Sequence, residues 1–318
     1  MEARMRRRIL LRGSILLTAV LNFCLSATAQ TRSELFDLME RYVAALPKHD
    51  PSGLPFAENV KLVENTKILP IGRGLWETAT GGFTNFKIVV ADTVTGQVGV
   101  IGVIQVDHDS TIISARLKVV NGRITEIDHL VIPRYGGGLN PNMLSVRPGL
   151  ISPIDSSERV SREEMLRIAN SYYEALVHGN GDLCPFADES QRRENGGVSA
   201  GAKTPEEAYN DDFSVFRKMK CRDQINTGVF ANITDINRRR FVAVDETMGL
   251  VMAYSMFVHT GEPEVMKIKG VPGITERENK YGAFDLPAAH IFKIRHGKVY
   301  EIEALGYLAE HGIKNGWE

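Results

Sequence analysis

Apolar residues recur at helical spacing twice along the chain, 130 positions apart. Leu35, Leu38, Met39, Tyr42 and Leu46 share one helical face, and Met165, Ile168, Ala169, Tyr172 and Leu176 repeat the pattern. Each run opens on a hydroxyl with a Glu three residues on: Thr31 with Glu34, and Ser161 with Glu164. That spacing predicts a capping box, in which side chains satisfy the free N–H groups of the first turn. The same offset carries Pro55-Phe56-Ala57-Glu58 onto Pro185-Phe186-Ala187-Asp188, and Glu64-Asn65 onto Glu194-Asn195. This many matches in one register predict a duplicated unit of roughly 130 residues.

Alternating, β-rich runs follow each helix. Gly99 in the run 98–106 matches Gly249 in the run 248–258 at an offset of 150, which also sets Tyr254 against Ile104. The run 117–127 matches 292–302 at 175. The second copy is therefore longer, by about twenty residues near 200–225 and about twenty-five near 259–288; loops of that length usually serve as lids or binding segments. Asn121-Gly122 and His296-Gly297 mark tight hairpins between the last two strands of each copy. The segment 133–158 carries a Gly triplet at 136–138 and four prolines, as a linker should. The domains expected are lobe 1 at 31–134, a linker at 135–160, and lobe 2 at 161–318 with its two insertions. A helix followed by a meandering antiparallel sheet is an α+β layer, the helix covering one sheet face.

The first 29 residues read as a signal peptide. Arg4, Arg6, Arg7, Arg8 and Arg12 precede an apolar run at 15–25, and Ala27-Thr28-Ala29 ends the segment with the small residues of a cleavage site after Ala29. The run is too short to span a bilayer. Arg7-Arg8 loosely matches a twin-arginine signal, so the export route stays open between general and twin-arginine. Phe23 before Cys24 is too bulky for a lipoprotein site. Cleavage would remove five Arg and one Glu, moving the formal net charge from −1 to −5. A mildly acidic, secreted or periplasmic protein with no basic stripe is expected, with no nucleic-acid partner and no membrane contact after cleavage. The only basic run, Arg238-Arg239-Arg240, reads as a solvated turn before a strand. Cys184 and Cys221 remain, and an oxidising compartment would favour a disulfide between them over two separately buried thiols.

The helix aromatics Tyr42 and Tyr172, the Pro-Phe-Ala-acid turn, the Glu-Asn pair and the closing hairpin together resemble the SnoaL-like branch of the NTF2-like superfamily. More narrowly, the chain resembles tandem, largely uncharacterised SnoaL-like proteins with Arg-x-Glu-Asn-Gly motifs, standing here as Arg192-Arg193-Glu194-Asn195-Gly196. The resemblance implies two NTF2-like (SnoaL-like, cystatin-like) cone-shaped α+β barrels forming a pseudo-dimer, each with a curved sheet over a helix and a deep pocket. It also implies a choice among polyketide cyclases, isomerases, dehydratases, hydrolases, lyases and mere binders, which a fold does not make.

No HExxH, CxxC pair, Walker A loop or GxSxG stands in the chain, so neither a metal nor another cofactor is expected. Asp107-His108-Asp109 and Glu246-Thr247 read as polar turns, and Arg116, a lone charge in an apolar run, as outward. His290 is the favoured single residue. Alternation across 289–295 sets His290, Phe292 and Ile294 on one face, and the first copy has Ala115 in its place, so the fold does not need the imidazole. The bland alternative is a buried His bonded to a backbone carbonyl. Glu194 is the second acid/base candidate, in a cone that would raise its pKa; its presence in both copies equally fits a structural role. Asn195, Arg193, Tyr172, Tyr254 and His259 are candidate substrate contacts, and Trp76 is either a stacking wall or a plug against the other lobe. Asn232-Ile233-Thr234 is a glycosylation sequon, relevant only in a eukaryote. The expected function is an exported, cofactor-independent acid–base enzyme (isomerase, cyclase, dehydratase or lyase) acting on a small, partly hydrophobic molecule in lobe 2. The alternative is an exported binding protein without chemistry, and a third reading is a structural tandem with filled cones. A homo-oligomer is left open.

Overall fold

The computed structural model describes residues 30–133 and 138–318. The signal-peptide reading, and all of the glycine triplet but Gly138, fall outside them. Lobe 1 runs α1 (Arg32–Ala45), β1 (Phe56–Glu64), β2 (Lys67–Leu69), α2 (Leu75–Thr78), β3 (Ala79–Asp92), β4 (Gln97–Val106), β5 (Asp109–Val120) and β6 (Arg123–Val131). A connecting segment contains α3 (Pro148–Ile151). Lobe 2 repeats the plan with α4 (Arg162–Val177), β7 (Phe186–Glu194) and β8 (Gly197–Ala200). Its first insertion adds α5 (Pro205–Ala208), α6 (Ser214–Arg217) and α7 (Cys221–Asn226). Then come β9 (Asp235–Asp245), β10 (Leu250–Thr260), the second insertion with β11 (Val265–Lys267) and β12 (Glu276–Glu278), β13 (Ala283–Arg295) and β14 (Lys298–Gly306).

The two six-stranded sheets have the same order, β2-β1-β6-β5-β4-β3 and β8-β7-β14-β13-β10-β9. In each, only one pairing is parallel, β1 with β6 and β7 with β14. The fold is thus α+β, two tandem units of one plan, in keeping with the paired cones that the resemblance implied. Each long helix packs its apolar face into the concave side of its own sheet, α1 with Val100, Ile104 and Leu117, and α4 with Val251, Ala253 and Phe292. The opposite sheet faces meet each other across a third apolar layer, where Ile88, Ile101 and Val103 of lobe 1 join Leu250, Met252 and Ile291 of lobe 2. Gly99 lets this approach happen, because a Cβ there would collide with the sulfur of Met252. Thr31 and Glu34 form the full capping box. Ser161 caps Glu164 N–H, but the Glu164 carboxylate turns to Arg167 instead of closing the box.

Register corrects one expectation. Val100 stands opposite Ala115, and Ala253 stands opposite His290, so β4 and β10 match at an offset of 153 and not 150. An odd shift exchanges the faces of a strand. Tyr254 is therefore the counterpart of Ile101 on the inter-lobe face, and the true counterpart of Ile104 is Phe257.

Two charged features also differ from expectation. Arg238, Arg239 and Arg240 lie within β9, at a bulge where Arg238 takes a left-handed φ of 49°. They fan out to the Ile313 carbonyl, to Glu174, and to Asp128. Arg116 is buried, not outward, because Asp128 and Glu126 pair with it from the neighbouring strand. The connecting segment is docked on lobe 2: Arg147 donates to the carbonyls of Gln191 and Ile302 and pairs with Glu303. Asp107 and His108 form the expected hairpin turn, both with left-handed φ. The 246–249 segment turns as expected.

Candidate functional site

The cone of lobe 2 encloses a cavity of about 300 Å³. Strand alternation decides what reaches it. In β13, His290 points inward with Phe292, while Ala289 and Ile291 face the other lobe. In β7, Arg192 and Glu194 share the cavity side. Both insertions complete the walls, with Phe213, Phe230, Arg277 and Tyr281. They pack on one another through Phe216, Val229, Met266 and Ile268, forming one layer over the mouth of the cone.

His290 is 3% exposed and sits among rings. It stacks on Phe257 and Phe292 at 5.6 and 5.7 Å between centroids, and meets Tyr173 edge-on at 5.4 Å. Its Nδ1 has no hydrogen-bond partner among the described residues, so the carbonyl-bonded alternative does not hold for that nitrogen. Burial, with the charge of Arg192 adding to it, lowers its pKa to about 3, and the imidazole is neutral at pH 7. Burial also lowers His259, to about 4; its ring stacks on Phe284 at 3.9 Å.

Arg192 is 1% exposed and remains charged. Its Nε donates to Ser199 Oγ at 2.8 Å and pairs with Glu194 at 3.0 Å, and its Nη2 donates to Gln224 Oε1 at 2.8 Å. Its guanidinium lies over Phe230. Burial raises the Tyr172 phenol above its ordinary value, against the opposing charge of Arg192 beside it. Glu194 has a 51% exposed side chain, which places it at the rim as the counter-ion of Arg192.

Asn195 lines the cavity, but its amide is already engaged. Its Nδ2 donates to Gly306 O at 2.9 Å, and its Oδ1 accepts from Gly306 N–H at 3.1 Å. Asn65 does the same with Val131 at 2.8 Å each way. Both take left-handed φ, 47° and 46°, which Asn tolerates better than most residues. The shared Asn therefore ties the turn after the first strand to the end of the last, and as an orienter of substrate Asn195 has little left to offer.

Five candidates thus line one cavity: His290, Glu194, Asn195, Tyr172 and His259. Three do not. Arg193, one residue out of phase with Arg192, pairs on the outer face with Gln191 and Glu207. Tyr254 hydrogen-bonds Ser114 across the lobe contact at 2.8 Å. Trp76 lies in the core of lobe 1, edge-on to Tyr42 at 5.5 Å, so it fills its own cone and does not plug against the other lobe. The disulfide is also absent: Cys184 and Cys221 are separate buried thiols, the Cys221 thiol directed at Ser190 O, and burial pushes Cys184 up to about 12. Missed from sequence were Arg192, Arg277 and the aromatic walls. Arg192 was legible, since period two from Glu194 selects it over Arg193. Arg277 was not, because nothing in an insertion predicts its direction.

Lobe 1 holds a polar chain of its own. Tyr42 OH lies 2.9 Å from His129 Nε2, and His129 Nδ1 lies 3.0 Å from Glu64, which also accepts from Leu75 N–H at 2.8 Å. Among the described residues, no three His, Cys, Asp or Glu side chains converge as metal ligands, and no helix is long and apolar enough to cross a membrane.

Among solved structures, a "putative polyketide cyclase" from Silicibacter sp. TM1040 is similar at 14% identity over 47% of this chain and 91% of that one, with a TM-score of 0.28. A "Putative SnoaL-like polyketide cyclase" from Jannaschia sp. CCS1 is similar at 9% over 49% and 90%, with a TM-score of 0.27. A protein from Sphaerobacter thermophilus is similar at 18% over 31% and 96%, with a TM-score of 0.26. Nothing about activity follows from likeness at this level. No curated protein matches the chain. The family model described as "Domain of unknown function (DUF8021)" matches residues 28–131 and 158–306, and the chain belongs to that family.

Proposed function

We propose that lobe 2 is the working lobe of an exported, cofactor-independent acid–base enzyme of the tandem SnoaL-like, Arg-x-Glu-Asn-Gly kind. It would isomerise, cyclise, dehydrate or cleave a small, partly hydrophobic molecule held in the cone. The observation that carries this is the convergence of His290, Arg192 and Tyr172 on one cavity of about 300 Å³ walled by aromatic rings. In this reading the neutral His290 takes a proton from carbon. The electron pair moves onto a substrate oxygen, and Arg192 and Tyr172 stabilise the negative charge as it forms. That charge offsets the repulsion between an imidazolium and Arg192, so His290 becomes a stronger base as the reaction proceeds. The proton then returns to another carbon in an isomerisation, to the oxygen of a departing hydroxyl or alkoxide in a dehydration or C–O cleavage, or to the carbonyl oxygen that the enolate carbon attacks in a cyclisation. Glu194, at the rim, holds Arg192 in place and exchanges protons with solvent. The test is His290→Ala. A variant that folds and keeps full turnover of a substrate found by screening would refute the role.

One observation favours a binding protein without chemistry: at a pKa of about 3, His290 is a weak base in the empty cavity. A ligand that binds tightly and is recovered unchanged after prolonged incubation would decide for that reading. Export belongs to the same proposal, and is supported by the basic, apolar and small-residue succession of the first 29 residues. N-terminal sequencing of the exported protein is expected to begin at Gln30.

A further inference from the structure

Three formal charges line the lobe 2 cavity: Arg192, Glu194 and Arg277. Two of them are already matched, since Glu194 lies 3.0 Å from Arg192. Arg277 is the remainder. It stands on β12, in the layer over the cone mouth, and its Nε has no hydrogen-bond partner among the described residues. Its nearest carboxylate, Asp212, lies at 3.8 Å and is engaged more closely by Lys280 at 3.0 Å. The guanidinium is held instead over the ring of Phe213 at 5.1 Å. A partly buried guanidinium with open donors is suited to a planar anion that takes two parallel hydrogen bonds. Below it the walls are flat rings, Phe230, Phe257 and the His259–Phe284 stack. An apolar cavity of about 150 Å³ accepts benzene, so twice that volume accommodates two fused rings.

We propose that the ligand of lobe 2 is an aromatic carboxylic acid of one or two rings, its carboxylate received by Arg277 and its ring system among the aromatic walls. This rests on the reading of lobe 2 as the working lobe, in which Arg192, with Glu194 as its resting counter-ion, meets the charge that develops during reaction. The carboxylate is the part of the ligand that does not react. Arg277 thus sets specificity, while His290 and Arg192 perform the chemistry.

The test compares 2-naphthoate with 2-naphthamide, which share shape and differ in charge, by isothermal calorimetry on the wild-type protein and on Arg277→Gln. A hydrogen-bonded charge pair in a half-buried site corresponds to about tenfold or more in affinity. The wild type is expected to prefer the acid by that factor, with the preference weakening as salt is raised. Arg277→Gln is expected to weaken the acid to the level of the amide and leave the amide unchanged. Equal affinities in the wild type, or a preference that survives in Arg277→Gln, would overturn the carboxylate assignment and leave the cavity standing as a ligand site. If neither probe shows saturable binding, the aromatic-acid assignment fails, while the reading of lobe 2 as the working lobe is decided separately by the turnover of His290→Ala. Should Arg277→Gln not fold, Arg277→Lys reads the same difference: it keeps the charge without the fork and is expected to retain only part of the preference, an undiminished preference counting against the fork.

Discussion

Replacing Asp128 by Asn removes one charge and almost no volume from the contact between the lobes. Its Oδ1 accepts from Arg240 Nη2 at 2.7 Å and from Trp317 Nε1 at 2.5 Å, while Oδ2 accepts from Arg116 Nε. Arg116 belongs to lobe 1 and is 2% exposed; Arg240 belongs to lobe 2. The substituted amide would present an NH2 to one of these guanidiniums and could no longer offset the charge of either. Breaking a buried ion pair on one side costs about 3–5 kcal/mol. Arg116 keeps Gln97 at 2.7 Å and Glu126 at 2.8 Å, and Glu126 has a 28% exposed side chain, so the lower end applies: about 3 kcal/mol. Against a typical total of about 5–15 kcal/mol, that is a large share.

Equilibrium urea unfolding, followed by circular dichroism and by tryptophan fluorescence, measures the loss at pH 7. Burial alone would raise the Asp128 carboxyl, but Arg116 and Arg240 outweigh it and hold it below its ordinary 3.8. A carboxyl depressed by folding stabilises above its unfolded pKa, and that stability fades as pH falls through the folded value. The gap between wild type and Asp128→Asn is therefore expected to be full at pH 7 and to narrow below about pH 4. Glu126→Gln, more exposed, is expected to cost about 1 kcal/mol or less. An Asp128→Asn protein within about 0.5 kcal/mol of wild type at pH 7, the range of an ordinary surface change, would refute the reasoning.

His290 carries a pH signature of opposite origin. Arg192, Tyr172 and Tyr173 are the charged or titratable groups around it, and it stays neutral in the fold down to about pH 3, whereas the unfolded chain protonates near 6.5. Stability is thus expected to fall as pH drops from about 6.5 towards 3, and His290→Phe, which keeps a ring in the stack, is expected to flatten that slope. An unchanged slope in urea titrations at pH 7 and 5 would count against a neutral His290. Asn195→Ala and Asn65→Ala should each cost about 1–3 kcal/mol, because each strands backbone groups and places a Cβ without polar compensation in a left-handed turn. Thermal melts measure this; a loss confined to Asn195 would mean that the pair is not a shared structural device.

The duplicated frame was legible because its signals are local. Capping boxes, a 3.6-residue period, Asn-Gly turns and the Glu-Asn pair all act within a few residues of themselves. What was lost depended on register. A three-residue error in matching Gly99 to Gly249 placed Tyr254 in the cone, and the residue on the cone side, Phe257, went unread. Charge was misread for a related reason. Arg116 and Arg240 look solvent-bound in the chain, since their partner Asp128 lies across a strand pair for one and across the lobe contact for the other. The two cysteines fit a disulfide by compartment, but compartment says nothing of where two thiols point.

The two cones keep the same skeleton and differ in whether the polar groups around the helix tyrosine pair with one another. Tyr42 and Tyr172 hold equivalent places on the helices, and Glu64 and Glu194 hold equivalent places on the first strands. In lobe 1, Glu64 faces His129 in the adjacent strand, the imidazole bridges to Tyr42, and Trp76 fills the remaining space. Every member of that chain has a partner. In lobe 2 the position of His129 is taken by Ala304, that of Leu62 by Arg192, and that of Ala115 by His290. The imidazole has moved to a strand where no carboxylate meets its Nδ1, and a guanidinium has entered in place of an aliphatic chain. No indole lines the cavity that results. A polar network that is complete rigidifies a core, whereas one with open donors and acceptors beside a cavity is costly to keep unless something binds there. His290 alone therefore marks lobe 2 for function less strongly than this exchange does, a saturated triad in one cone against an unsaturated one in the other.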